Sequence, residues 1–201
     1  MFKKIFNKIY IALHGIVMFI LGKAPKRIIP TGNNIISPAH GKIIEIRSVQ
    51  NSDIIFEKKG IQNHVVIPEL IFPARIIIIE MTPLDVHVQR APITGSILRM
   101  DHYHGGHKNA MGKSMLEIVE ENEKVIALFS NKKEKVAVIQ VAGLAARRIR
   151  NILEVGDEID RGDIYGRIKF GSLVVIIIPY TRKISVMVGE KVVDGETILA
   201  W

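Results

Sequence analysis

Two uninterrupted apolar runs decide the fold: Arg75–Glu80 reads RIIIIE, and Val174–Pro179 reads VVIIIP. Isoleucine and valine have a branched Cβ, which favours the extended backbone of a β-strand. Successive side chains of a strand point to opposite faces, so a strand that is apolar throughout is buried on both faces of its sheet. Both runs are therefore expected to be central strands of a buried sheet.

Shorter β-rich runs surround these two, and turns containing Gly, Pro, Asn or Asp separate them. Apart from the N-terminus, only Leu144–Leu153 (LAARRIRNIL) has the composition of a helix. The sequence predicts a mainly-β protein with an N-terminal hydrophobic helix and one short internal helix. The predicted strands are Lys42–Arg47, His64–Ile67, Arg75–Met81, Ser96–Met100, Val125–Phe129, Val136–Ala142, Ile164–Phe170, Leu173–Ile178 and Ile184–Val188.

The turns contain an internal repeat. Ser37–Ile43 and Ala91–Ile97 share the pattern P-x-x-G-x-I, while Val155–Gly162 and Val188–Gly195 share V-G-[DE]-x-[IV]-x-x-G. Glycine at such turns adopts positive φ without steric cost. Paired elements of this kind resemble the lipoyl- and biotinyl-type barrel-sandwich fold. We therefore expect a β-sandwich, similar to a barrel-sandwich hybrid, with pseudo-repeated halves; chance similarity between turns is the alternative.

Composition limits the classes of function. The chain has 201 residues, enough for one domain or two small lobes, and it contains no Cys. The absence of thiols excludes a disulfide scaffold, a catalytic thiolate and Cys-ligated zinc. A formal charge of +8 predicts a polyanionic partner, with an ordinary solvated basic surface as the alternative. The chain has neither an RNA-binding aromatic motif nor zinc-finger spacing, so nucleic acid is not expected as a partner.

The N-terminal segment favours lipid. Ile9–Leu21 reads IYIALHGIVMFIL, an apolar run of 13 residues with lysines on both sides. A helix that spans a bilayer needs about 20 residues, so an interfacial anchor or a short membrane-inserted helix fits better. We expect a membrane-associating helix within residues 1–30 and a second domain over residues 31–201. The predicted location is the cell membrane, bound peripherally or anchored N-terminally at the cytoplasmic face; a buried amphipathic helix is the alternative.

Gly171 and Ser172 stand where two strand-like runs meet. Glycine inside a strand often marks a bulge. A strained glycyl carbonyl beside a serine hydroxyl also permits an N-to-O acyl shift, because glycine has no Cβ to block the approach and tolerates strained φ and ψ. β-Elimination of the resulting ester would cut the chain and leave dehydroalanine, which hydrolyses to a pyruvoyl group. A base must first deprotonate the serine.

Four blocks of sequence resemble the phosphatidylserine decarboxylase family, in particular its short branch with archaetidylserine decarboxylase-like proteins. They follow the family order and cover most of the chain. The blocks are Ser37–Lys42 (SPAHGK), Met81–Gly95 (MTPLDVHVQRAPITG), Gln140–Ile149 (QVAGLAARRI) and Gly156–Pro179, which includes IKFGS at Ile168–Ser172.

The resemblance implies a self-cleaving enzyme. Cleavage between Gly171 and Ser172 would give a β chain ending at residue 171 and an α chain of residues 172–201, which together form a heterodimer. Ser172 would become a covalent pyruvoyl cofactor that forms a Schiff base with the serine amine of an anionic phospholipid. The expected activity is a carboxy-lyase reaction at the membrane surface: phosphatidylserine or archaetidylserine gives the ethanolamine lipid and CO2.

Further site residues follow from the same blocks. His87 lies two residues after Asp85, so on a strand both would project to one face. Histidine exchanges protons near neutral pH, which suits serine activation, proton delivery after decarboxylation, or both. Arg90 is a candidate for bidentate binding of the lipid phosphate or carboxylate, with a surface role as the alternative. Related enzymes usually carry aspartate at the position of His40, so either Asp85 compensates for its absence or His40 itself acts as the base.

Other readings of the chain remain open. In a phosphoryl carrier or binding module of barrel-sandwich fold, His40 would be the reactive residue, and a non-catalytic relative would keep the fold without processing. His102, His104 and His107, in DHYHGGH, also suggest a metal site. Metal ligands need a rigid arrangement, and this stretch has the composition of a glycine-rich loop, so no metal is expected.

Overall fold

The computed structural model describes residues 24–58, 61–104, 123–142, 149–168 and 172–201. Within these ranges the chain forms strands and no helix, which confirms the predicted mainly-β class. The strands are β1 (Ile35–Ile36), β2 (Gly41–Val49), β3 (Asp53–Lys58), β4 (Ile61–Val66), β5 (Ala74–Met81), β6 (Val88–Arg90), β7 (Gly95–Tyr103), β8 (Lys124–Ser130), β9 (Lys135–Val141), β10 (Ile149–Asn151), β11 (Glu158–Ile159), β12 (Ile164–Ile168), β13 (Ser172–Pro179), β14 (Lys191–Val192) and β15 (Ile198–Ala200).

An antiparallel sheet with the strand order β11-β7-β8-β9-β13-β5-β2-β14 forms the centre of the molecule. The two apolar runs lie in β5 and β13, which pair with each other over their whole length. β13 also pairs with β9 on its other side. Ile176 and Ile177 point to opposite faces of the sheet and both are fully buried. The prediction of two central strands is therefore confirmed.

Smaller sheets cover both faces of the central sheet. On one face, the sheet β10-β12-β6 and the pair β1-β15 pack over side chains such as Val174. On the other face, the hairpin β3-β4 packs over side chains such as Val175. Each fully buried Val or Ile contributes about 1.5–3 kcal/mol relative to an exposed one. β13 is thus held by two neighbouring strands and by two layers of core.

The repeated turn motifs occupy matching places in the central sheet. β14 pairs with the start of β2 at Gly41, and β11 pairs with the start of β7 at Gly95; a β-bulge follows in both β2 and β7. A Cβ on Gly41 would lie 2.3 Å from the backbone oxygen of Glu80, and one on Gly95 would lie 2.1 Å from that of Ser130. The order β14-β2-β5-β13 therefore matches the order β11-β7-β8-β9 from the other edge, as two pseudo-repeated halves would.

The predicted internal helix needs correction. Residues 144–148 lie outside the described residues, but Ile149–Asn151 form β10 and pair with β12. Ile149 is buried and Arg150 is exposed, the alternation of a strand with one covered face. Pairing with β12 overrides the helix propensity that the arginines and leucines of this stretch suggested.

The predicted strand Ile184–Val188 is wrong. The segment makes one isolated bridge, between Ile184 and Ala200. Val186 packs against the core, but Met187 and Val188 are exposed and lead into the turn at Gly189, where φ is 94°. The alternating pattern of a half-buried strand is present, but no described strand continues the ladder beyond the bridge.

Most of the predicted N-terminal helix, residues 1–23, lies outside the described residues, and residues 24–30 have no regular secondary structure. These seven residues contact the C-terminal part of the chain: Arg27 Nη2 donates to Asp194 Oδ1 at 2.5 Å, and Ile28 N donates to Glu196 Oε1 at 3.0 Å. Among the described residues there is no helix with the length and apolar character needed to cross a bilayer.

Candidate active site

Ser172 begins β13 at one end of the central sheet, where the residue is 2% exposed. It pairs with Met81, the last residue of β5, and its Oγ donates a hydrogen bond to Met81 Sδ at 3.5 Å. A thioether sulfur is a weak acceptor, so this contact holds the hydroxyl proton only weakly. Gly171, on the other side of the predicted cleavage point, lies outside the described residues.

Asp85 connects the two predicted histidines. It lies in a turn rather than on a strand, and its Oδ2 accepts hydrogen bonds from Thr82 N and Thr82 Oγ1, each at 2.7 Å. Its Oδ1 lies 3.9 Å from His40 Nε2, and its backbone oxygen lies 2.6 Å from His87 Nδ1. The expectation of a shared strand face is therefore wrong, but the turn brings Asp85, His40 and His87 together by another route.

His87 is buried, with 7% of its surface exposed. Its Nδ1 donates to the backbone oxygen of Asp85, since a carbonyl oxygen can only accept, so the neutral ring carries its lone pair on Nε2. Burial lowers the pKa of His87 because it penalises the imidazolium, although the bond to the Asp85 carbonyl opposes this. The ring is therefore neutral near pH 7 and has the form that a general base requires.

His40 precedes β2 and is half-buried beside Asp85. Burial, together with the charges of Arg27 and Lys191, lowers the pKa of His40 more than the charges of Asp85 and Asp194 raise it. At 3.9 Å, the contact between His40 and Asp85 is therefore a polar contact near pH 7 and not a full ion pair. His40 Nδ1 is buried, and it has no hydrogen-bond partner among the described residues.

A chain of buried amides leads from Ser172 into the protein. Gln89 Nε2 donates to Met81 Sδ at 3.8 Å, the same sulfur that accepts from Ser172. Gln140 Nε2 donates to Gln89 Oε1 at 3.2 Å, and Asn151 Nδ2 donates to Gln140 Oε1 at 3.0 Å. Buried amides need partners, so each orients the next and the Gln89 amino group is directed towards the Ser172 end.

Arg90 is engaged by the protein itself. Its Nε donates to Asp194 Oδ2 at 2.8 Å, its Nη1 to Gly162 O at 2.7 Å and its Nη2 to Pro25 O at 2.7 Å. Asp194 is fully buried, and Arg27 pairs with its other oxygen. These contacts give Arg90 a structural role between the N-terminal segment and the repeat turns. Its predicted role in substrate binding remains a prediction.

Comparison with known proteins identifies the family of the chain. The family model for phosphatidylserine decarboxylase matches residues 17–200. The chain belongs to the phosphatidylserine decarboxylase family. The family resemblance inferred from the four sequence blocks is confirmed, and the protein is an enzyme of the decarboxylase class.

Relatives from archaea and bacteria support the same membership. A putative archaetidylserine decarboxylase proenzyme from Methanocaldococcus jannaschii is 40% identical over 179 residues, which cover 88% of this chain and 85% of the relative. One from Methanothermobacter thermautotrophicus is 31% identical over 202 residues, covering 97% and 86%. A phosphatidylserine decarboxylase proenzyme from Desulfotalea psychrophila is 38% identical over 177 residues, covering 87% and 74%.

Several residues of this candidate site were not singled out from the sequence: Thr82, Met81 and the amide chain. The available signal was weak. Gln140 is a polar residue at the end of the apolar run VAVIQV, and a polar residue inside a buried strand needs a partner. Identifying that partner requires knowing that β9 lies near β6 and β10, which local sequence does not reveal.

Proposed function

We propose that the chain is a proenzyme that cuts itself between Gly171 and Ser172 and then decarboxylates a serine phospholipid. The single observation that carries this proposal is the state of Ser172. It is a buried serine at the start of a strand that pairs with β5 over its whole length, and among the described residues its hydroxyl has only the sulfur of Met81 as acceptor. The relatives are named as decarboxylase proenzymes, which supports the proposal.

In the proposed cleavage, His87 takes the hydroxyl proton of Ser172, and Oγ attacks the carbonyl carbon of Gly171. The peptide C–N bond breaks, the amine takes a proton, and an ester remains. Removal of the Ser172 α-proton then expels the Gly171 carboxylate and leaves dehydroalanine, which water converts to a pyruvoyl group and ammonia. A backbone hydrogen bond from Ile168 N to His87 O, at 3.1 Å, ties His87 to the end of β12, four residues before Ser172.

The surroundings of Ser172 fit a pyruvoyl group. The carbonyl oxygens of a pyruvoyl group accept hydrogen bonds. The Gln89 amino group, which donates to the weakly accepting sulfur of Met81 beside Ser172, could donate to such an oxygen instead. When present, a pyruvoyl group supplies an electrophilic carbonyl that accepts the electron pair released as CO2 leaves. Gln89 would hold it, and the neutral imidazoles of His40 and His87 would transfer protons at the site.

The cleaved chains are expected to remain together as a heterodimer. Residues 172–201 contain β13, β14 and β15, which pair with strands from the other fragment: β5, β9, β2 and β1. Cutting before Ser172 leaves all of these ladders intact. The α chain is therefore held by the same pairing and core packing that hold the uncut protein.

Intact mass after expression tests the cleavage. We expect two fragments, residues 1–171 and a blocked, pyruvoyl-terminated fragment of residues 172–201, which co-elute under native conditions. Ser172→Ala should give one chain and no CO2. Ser185→Ala removes a hydroxyl that donates to Ile198 O on the surface of the same fragment, so it should cleave normally. An active wild-type protein of full mass would refute the mechanism, and an inactive protein of full mass would favour a non-catalytic relative.

We further propose that residues 1–23 attach the enzyme to the cytoplasmic face of the cell membrane, where the anionic serine lipid lies. The +8 charge and the apolar run Ile9–Leu21 support this. Deletion of residues 1–23 keeps Pro25 and Arg27, which contact Arg90 and Asp194. We expect the truncated enzyme to lose binding to anionic vesicles but to keep its fold; undiminished binding would contradict the anchor.

The substrate class is set by the head group. Phosphatidylserine and archaetidylserine share a serine phosphate, and CO2 release from vesicles of each lipid distinguishes the two backbones. The phosphoryl-carrier alternative is disfavoured by geometry. A phosphate on His40 Nε2 would be placed near the Asp85 carboxylate, 3.9 Å from that nitrogen, and like charges repel.

A further inference from the structure

A second cluster of chemically active side chains lies at the same end of the central sheet as Ser172. His102, His104 and Glu123 each offer one ligand atom, and these three atoms lie within 4.8 Å of one another. The closest pair is His102 Nε2 and Glu123 Oε1, at 2.8 Å. The proposed decarboxylation uses none of the three.

The sheet itself brings these residues together. His102 lies on β7 and His104 directly follows that strand, so both side chains point to the same face. Tyr103 pairs with Lys124, which places His104 opposite Glu123, the residue before β8. Directly opposed residues of an antiparallel pair share a face and are close neighbours.

The cluster is held more rigidly than its sequence suggested. The Glu123 side chain is 2% exposed, its carboxylate accepts from Ile149 N at 3.5 Å, and its backbone oxygen accepts from Ala142 N at 2.9 Å. His102 is paired with Val125 in the ladder. The expectation that DHYHGGH is a glycine-rich loop is therefore wrong for His102, which lies on a strand. The lack of a rigid arrangement, which was the reason for expecting no metal, does not apply to His102.

We propose that His102, His104 and Glu123 bind a transition-metal ion such as Zn²⁺. Two imidazole nitrogens and one carboxylate oxygen form a ligand set that suits Zn²⁺ better than Ca²⁺ or Mg²⁺, which take oxygen ligands. Ligands about 2.0–2.2 Å from a tetrahedral zinc ion lie about 3.4 Å apart. The three ligand atoms, which lie within 4.8 Å of one another, would adopt that spacing around the ion. His102 and His104 are solvent-exposed, which leaves a fourth position for water.

The site would lie near the reaction centre. Val125, Ala142 and Val174 belong to one core cluster on one face of the sheet. Glu123 lies on that face beside Ala142, and Ser172 lies on it two residues before Val174. Strands are about 4.8 Å apart, so Glu123 and Ser172, with one strand between them, are about 10 Å apart. Metal binding itself does not depend on cleavage at Ser172.

The experiment uses the full-length, tag-free protein after treatment with a chelator, titrated with Zn²⁺ and, as a spectroscopic probe, with Co²⁺. We expect one equivalent of each to bind, the visible absorption of tetrahedral Co²⁺, and a higher Tm with Zn²⁺. His104→Ala and His102→Ala should each weaken the affinity for Zn²⁺ by about 10–100-fold or more, since loss of a residue that only supports a metal ligand already costs that much. The Ser172→Ala protein should bind as the wild type does.

His64 provides the matched control. It is an exposed histidine whose Nε2 lies 3.1 Å from Asp53 Oδ1, a pair similar to His102 and Glu123 but with no third ligand among the described residues. His64→Ala should leave metal binding unchanged. If His102→Ala folds poorly, the exposed His104→Gln carries the test. The proposal is overturned if the wild type shows no stoichiometric Co²⁺ spectrum, or if the His104 variants bind Zn²⁺ as tightly as His64→Ala does.

Discussion

The two ends of the central sheet have the same framework and different chemistry. At one end Gly95 packs against Ser130, the last residue of β8, and a tight turn at Asn131 leads directly into β9. At the other end Gly41 packs against Glu80 of β5, but the neighbouring strand β13 is far away in sequence and begins at Ser172. One end is a closed hairpin, and the other brings two distant chain segments together.

This difference fits the proposed self-cleavage at the Ser172 end. Cutting the turn between β8 and β9 would open a hairpin, whereas cutting before Ser172 separates no adjacent strands. The Gly41 end also has His40 and Asp85 beside it, where the Gly95 end has Thr94 and Asn131, whose amide donates to Thr94 O at 3.0 Å. The two turns therefore share a backbone arrangement but carry different side chains.

The largest expected difference between the two ends of the sheet is in the rate of cleavage after mutation. His87→Ala should slow the appearance of the 172–201 fragment by about 10²–10⁴-fold, the usual contribution of a general base. The rate is measured by mass spectrometry after synthesis in a cell-free system. His64→Ala, which removes an exposed histidine of the hairpin β3-β4, should cleave at the wild-type rate. Normal cleavage by His87→Ala would remove His87 from the mechanism.

The second effect concerns the arginines that tie the repeat turns to the N-terminal segment. Arg90→Met leaves the buried Asp194 with Arg27 alone and should lower the free energy of unfolding by about 3–5 kcal/mol. Arg161→Met removes bonds to Asn34 O, Asn34 Oδ1 and Pro30 O, none of which is a carboxylate oxygen, and should cost about 1–3 kcal/mol. Urea denaturation measures both; equal costs would contradict the importance of Asp194.

The third prediction tests whether the two halves are equivalent in energy. Gly41→Ala and Gly95→Ala each place a Cβ against a backbone oxygen, 2.3 Å and 2.1 Å away, and should each destabilise the protein by about 1–3 kcal/mol. Gly156→Ala tests a turn glycine with φ of 99° and open space around it, so backbone strain is its only cost. A large effect at only one of the first two glycines would show that the halves are not equivalent in energy.

The smallest effect is on pH dependence. Burial lowers the pKa of both His40 and His87 below 6.5 in the folded protein. As the pH falls below about 6.5, the unfolded chain takes up protons first, so the free energy of unfolding falls and levels off only when the folded histidines are protonated too. Thermal unfolding between pH 7.5 and 4.5 measures this. In His87→Gln the loss should be smaller; an unchanged profile would contradict the burial argument.

Local sequence predicted much of the fold and part of the site. The runs at β5 and β13 were recognisable because a strand buried on both faces needs apolar residues at every position. Leu144–Leu153 failed because helix propensity says nothing about a partner such as β12, which turns Ile149–Asn151 into a strand. Asp85 and His87 were correctly grouped, but the contact runs through a backbone oxygen in a turn, which side-chain alternation does not anticipate.

The sequence by itself determined the mainly-β class, the two central strands, the repeated turns and the family, because each of these depends on composition or spacing within a short stretch. Only the tertiary structure decided that Met81 lies beside Ser172, that Arg90 is bound to Asp194, and that His102, His104 and Glu123 meet at one sheet end. These contacts join residues that are far apart in sequence. They depend on strand order and register, and these in turn depend on how the whole core packs.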